Sequence, residues 1–91
     1  MPRSMTAQSA EILGLRALAW LAGDPVLLER FTIGCGIDGT ALRAAADHPE
    51  TIASVLDFLL ADEALLLAFC SESDLPPHIV QIARHKLEES R

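Results

Sequence analysis

Apolar residues return every three or four positions from Ile12 to Leu87, and polar residues gather in short breaks between the runs. That period predicts a succession of helices, each packed on one side. A first helix is expected from about Thr6 to Ala22. Ile12, Leu15, Leu18, Ala19 and Ala22 form one apolar stripe, and Leu13, Ala17, Trp20 and Leu21 form much of the other side. A helix apolar almost all round is expected at the centre of a fold. Gly23-Asp24-Pro25 stops this helix and starts the next. The Asp24 carboxylate can accept backbone N–H groups of the new first turn. Pro25 suits the first helical position, where no donor is required. The second helix should bury Leu27, Leu28 and Phe31, then end at Gly34-Cys35-Gly36 with Gly36 left-handed.

Asp38 caps a short third helix, and Ile37 and Leu42 have the spacing of a hydrophobic staple across its start. It should end near Asp47-His48-Pro49, because the residue before proline avoids the helical region. A fourth helix is expected from Pro49 to about Ala61, with Ile52, Val55, Leu56, Leu59 and Leu60 on one face. Whether it continues through Asp62-Glu63 is a genuine choice. One long kinked helix would set Glu63 on the apolar stripe, which is costly unless the charge is paired. A break with Asp62 as a new cap avoids this and gives a fifth helix, Glu63 to about Ser73, burying Leu65, Leu66 and Phe69. Asp74 is the candidate left-handed residue after it. Leu75-Pro76-Pro77 restarts the chain into a sixth helix carrying Ile79, Val80, Ile82, Ala83 and Leu87.

The pattern is written twice, 38 residues apart. Ala17-Leu18-Ala19-Trp20-Leu21-Ala22-Gly23-Asp24 returns as Val55-Leu56-Asp57-Phe58-Leu59-Leu60-Ala61-Asp62, and Leu27, Leu28 and Phe31 return as Leu65, Leu66 and Phe69. Repeated sequence implies a repeated supersecondary unit. The expected architecture is all-α: one domain over residues 1–91, about six short helices, as two three-helix repeats (about 6–47 and 49–88). Two units are too few for an open solenoid, so a pseudo-twofold and a shared core are expected. Trp20 and Phe58 should hold equivalent core positions. The repeat also supports the break at Asp62, the counterpart of Asp24.

Charge narrows the functional classes. The net charge is −6, and between Ala44 and Ala83 there are seven acids and no Lys or Arg. A nucleic-acid partner is disfavoured, since phosphate backbones are bound by basic stripes. The acidic half is either a solubilising surface or a docking face for a basic partner. The apolar stretch from Ile52 to Cys70 contains Asp57, Asp62 and Glu63, charges too costly for a membrane centre. No signal-peptide pattern follows Met1, so a reducing cytoplasm is expected, with Cys35 and Cys70 as free, buried small hydrophobes.

Chemistry has little to stand on. No phosphate-loop or H-E-x-x-H motif is present, and no Cys or His pair has zinc-ligand spacing. His78 and His85 share a face of the last helix but would need further ligands; His48 reads as a turn residue. Cys35 is the more accessible thiol for a Cys–His dyad, without a recognisable orienting group. Asp57 and Asp62 are five residues apart and do not share a helical face. Helices two and three suggest a helix-turn-helix, yet the third carries one cation, too few for phosphate and base contacts. No catalytic, cofactor or metal residue is assigned, and the chain is expected not to be an enzyme.

The blocks Ala17–Ala22, Gly36-Ile37-Asp38 with Leu42-Arg43, Val55–Phe69 and Leu75-Pro76-Pro77 resemble a family of short uncharacterised alphaproteobacterial proteins, a domain of unknown function. The resemblance covers about residues 9–85 and is most specific at Val55–Phe69. Asp74 departs from it where glycine is expected. It implies no functional residue. The expected role is a non-catalytic protein–protein interaction or adapter module. The alternative is a small helical carrier with an apolar ligand in its core. Homodimerisation through an exposed Leu stripe is a further option.

Overall fold

The computed structural model describes residues 5–36 and 38–89. Among them the elements are α1 (Ala7–Ala22), α2 (Pro25–Cys35), α3 (Gly39–Ala44), α4 (Pro49–Leu60), α5 (Glu63–Ser73) and α6 (His78–Glu89), with no strand. The fold is all-α, as the periodicity predicts.

Local capping sets these boundaries. Asp24 sits in extended backbone (φ −128°, ψ 105°), and its Oδ1 accepts from the N–H groups of Val26 (3.0 Å) and Leu27 (3.3 Å). Asp62 repeats the geometry at φ −134°, ψ 101°, accepting from Ala64 (3.1 Å) and Leu65 (3.3 Å). The chain therefore breaks at Asp62, and the long kinked helix does not form. Asp38 accepts from the Ala41 N–H at 2.7 Å and starts α3. The staple expected between Ile37 and Leu42 rests on Ile37, outside the described residues. Gly36 closes α2 at φ 76°, and Asp74 closes α5 in the same left-handed region at φ 58°. An Asp there carries strain that the glycine does not. α3 stops at Ala44, short of the expected end near Asp47, and a turn leads into Pro49.

Helices α1, α4 and α6 pack on one another and form the centre; α2 lies against α1 and α4, and α5 against α4. Leu21, Phe31, Ile52, Val55, Leu56, Leu59, Phe69 and Val80 are fully or almost fully buried there. α1 and α4 approach closely at Gly14, where an added Cβ would overlap the Ile52 Cγ2 methyl. Gly14 and Ile52 are themselves 38 residues apart. A position that meets its own counterpart is what a twofold relation between the halves would require. The aromatic contacts obey the same relation. Trp20 meets Phe69 edge-on at 5.6 Å between centroids, and Phe58 meets Phe31 edge-on at 5.4 Å. A shift of 38 converts one pair into the other. Each half thus lends its α1- or α4-type aromatic to the other half.

The correspondence covers the first two helices of each half and fails at the third. α6 has 12 residues and packs against both α1 and α4, whereas α3 has six and packs extensively against no helix. Leu42 is its one buried residue. Three expectations need correction as a result. Trp20 and Phe58 do occupy equivalent places, but at half-buried margins rather than in the core. α1 is not enclosed: its buried set is Ala10, Leu13, Gly14, Ala17 and Leu21, while Ile12 and Leu15 are 51% and 39% exposed. One face satisfies α4 and α6, and α3 is too short to cover the other. Ile82, placed with the apolar residues of α6, faces outward.

Candidate functional site

The uncovered side of α1 forms a groove with α2 and α3. It has a volume of about 240 Å³ and is open to solvent. Leu18 and Ala22 come from α1, Leu28 from α2, and Leu42 and Ala46 from α3 and the turn after it; Arg43 stands among them. The helical spacing of Leu18 with Ala22, and of Leu42 with Ala46, puts each pair on one face of its segment. The sequence pattern put Leu18 and Ala22 on the apolar stripe of the first helix, Leu28 in the core and Leu42 in a staple, and did not disclose the groove. Asp38 and Pro49 marked the third helix as short, but no local signal says which face of α1 it would leave uncovered.

The second half differs at one of these positions, while Leu66 and Leu60, the counterparts of Leu28 and Ala22, are half-buried. Leu56 is fully buried whereas its counterpart Leu18 is half-buried; Leu42 and its counterpart Val80 are both buried. At the counterpart of Ala46, Arg84 donates from Nε to Asp57 Oδ1 at 2.8 Å. The longer α6 brings this pair together.

The acids read from the sequence resolve into separate structural tasks. Asp57 pairs with Arg84. Asp62 caps α5 and meets Arg30 at 3.4 Å, and the Arg30 guanidinium lies 5.9 Å from the centre of the Phe58 ring. That cation–π contact adds to the link between the halves. Asp47, Glu50, Glu63, Glu72 and Asp74 are exposed on different segments. Asp57 and Asp62 therefore do not form a carboxylate pair. Among the described residues no three of His, Cys, Asp and Glu gather as a metal site would require.

Cys70 is buried as expected, but Cys35 is exposed: it is the last residue of α2, beyond the reach of the core. Partial burial of the sulfur still pushes both thiols up, away from the thiolate a nucleophile needs. His78 and His85 are exposed on α6, and His85 Nε2 lies 3.1 Å from Glu89. His48 stands at the start of α4 without a side-chain cap bond. Among the described residues no histidine bonds to either cysteine; the Cys70 thiol instead faces the Pro76 carbonyl at 4.0 Å. The six-residue α3, with Arg43 alone as its cation, is a poor recognition helix. No helix among the described residues is long and apolar enough to cross a membrane.

Fold and site together define a small all-helical domain with an open apolar groove beside a short, lightly held helix. The chain matches, over residues 7–90, the family described as a protein of unknown function, DUF3572, and belongs to it. No curated protein and no solved structure matches.

Proposed function

We propose that this domain is a non-catalytic protein–protein interaction module, an adapter that docks a partner in the α1–α2–α3 groove. The observation that carries the reading is an asymmetry between the halves: Leu56 is fully buried, whereas Leu18, 38 residues earlier, is half-buried and lines the open groove. Pockets that enclose whole small ligands run from about 300 to 1,000 Å³. A groove of about 240 Å³, open along one side, suits a few side chains of a protein better. An apolar-ligand carrier is the weaker alternative, because an open groove would leave much of a lipid chain in water. Two free cysteines suit a reducing cytoplasmic setting.

The test is affinity capture from native lysate with three baits: the wild type, Ala22→Lys and Ile33→Lys. Ala22 ends α1 at the groove and is exposed, and a cation there suits the helix dipole, so the fold should be kept. Ile33, 72% exposed, lies outside the groove lining. The wild type and Ile33→Lys should enrich the same protein, and Ala22→Lys should lose it. Equal capture by all three baits would remove the groove from the account. A lipid adduct in native mass spectrometry would favour the carrier.

A further inference from the structure

The groove carries information about what it binds. Arg43 lines it and is exposed, and its guanidinium has no ion pair or hydrogen bond among the described residues. Two other arginines are engaged, Arg30 with Asp62 across the halves and Arg84 with Asp57 within the second half. A cation beside an apolar groove is unusual on a chain of net charge −6, whose stretch from Ala44 to Ala83 contains no Lys or Arg. The local charge and the global charge thus favour opposite partners.

The second half shows what closes such a position. There an amphipathic helix presents Val80, Ala83 and Leu87 inward, at i, i+3 and i+7, and a carboxylate–guanidinium pair seals the edge. At 1.5 Å per residue, α6 runs about 18 Å and α3 about 9 Å. The shortfall is about two helical turns. The groove volume exceeds that of an apolar cavity of about 150 Å³ that takes one benzene, so it has room for about two aliphatic side chains. Amphipathic helices dock into apolar grooves through residues at this spacing.

We propose that the groove takes one amphipathic helix of a partner protein, with an aliphatic stripe flanked by a carboxylate that pairs with Arg43. This rests on the docking role proposed above and adds the chemistry of the partner: it is acidic beside its apolar face, although the domain as a whole would draw basic proteins. The pair at Arg43 supplies orientation and selectivity, since charge complementarity at an edge chooses between partners more than it adds affinity.

A displayed library of helical 16-residue peptides tests this directly. Its apolar positions vary among Leu, Ile, Val, Ala, Met and Phe, and its flanking positions among Glu, Gln and Lys. Selection against the folded domain at physiological salt should enrich Glu at a flank. The selected peptides should shift the backbone amides of Leu18, Leu28 and Leu42 in NMR spectra. Arg43→Glu should weaken them at least tenfold and, in a fresh selection, enrich Lys instead. Arg43 is exposed, so this variant should fold; a circular dichroism spectrum and unfolding midpoint unchanged from wild type check that. Peptides that bind the groove without charge bias would overturn the acidic partner and leave the docking role standing. If no peptide moves the groove amides, both fall. A concentration-dependent dimer that protects these same amides would assign the groove to a second copy and overturn the proposal.

Discussion

Phe69→Ala and Phe31→Ala should each destabilise the domain by about 3–5 kcal/mol, the usual cost of removing a fully buried aromatic ring. Both rings are completely buried, each with an aromatic from the opposite half set edge-on against it. A domain of this size has roughly 5–14 kcal/mol of total stability, so either change removes a large share of it. In urea unfolding the midpoint should fall sharply, and in thermal unfolding it should drop by at least about 12 °C. Trp20→Ala and Phe58→Ala should cost less, because these rings are half-buried. Double-mutant cycles sharpen the test. Trp20 with Phe69, and Phe58 with Phe31, should each couple by about 0.5–1.5 kcal/mol, as edge-on aromatic pairs do. Stronger coupling of Trp20 to Phe31 would mean that each half packs its own aromatics, contrary to the observed exchange.

The second large effect is expected at Gly14. Alanine normally improves a helix interior by about 1 kcal/mol over glycine. Here the new Cβ would overlap the Ile52 methyl, and Ile52, only 1% exposed, has no free space to swing into. Gly14→Ala should therefore destabilise by about 1–3 kcal/mol, the range for overpacking, and Gly14→Leu by at least as much as the top of that range. Ile52→Ala alone should cost about 2–5 kcal/mol through the cavity it leaves. In the Gly14→Ala, Ile52→Ala double variant the added and removed atoms offset each other, so the loss should be clearly smaller than the sum. Strict additivity, read by denaturant unfolding, would show that the two helices do not touch there.

What the sequence could disclose follows from the range of the forces involved. Asp24, Asp38 and Asp62 bond to N–H groups two or three residues ahead, so caps and helix starts can be read from adjacent residues. The left-handed closures at Gly36 and Asp74 are local in the same way. The 38-residue echo indicated corresponding positions but not which of them touch. That Gly14 meets its own counterpart, and that Trp20 reaches Phe69, are contacts between segments far apart in the chain. An isolated glycine inside an otherwise strong helical pattern was a usable sign of close approach. The groove was hidden because Leu18, Leu28 and Leu42 look like core residues whether or not a helix covers them. The partial exposure of Leu18, where its counterpart Leu56 is fully buried, follows from the difference in length between α3 and α6. Cys35 was misplaced for a related reason: apolar character alone does not say where a helix end lies relative to the core.

The account turns on a position that lines an open groove in one half, at Leu18, and is fully buried in the other, at Leu56. Methyl relaxation by a neutral, soluble gadolinium chelate measures this directly, at Leu18 and Ala22 on the groove side and at Leu56 on the closed side. The account predicts strong relaxation at Ala22, intermediate relaxation at Leu18 and almost none at Leu56. Leu18 and Ala22 methyls as well shielded as those of Leu56 would show the groove closed in solution, and the docking role would lose the surface it depends on.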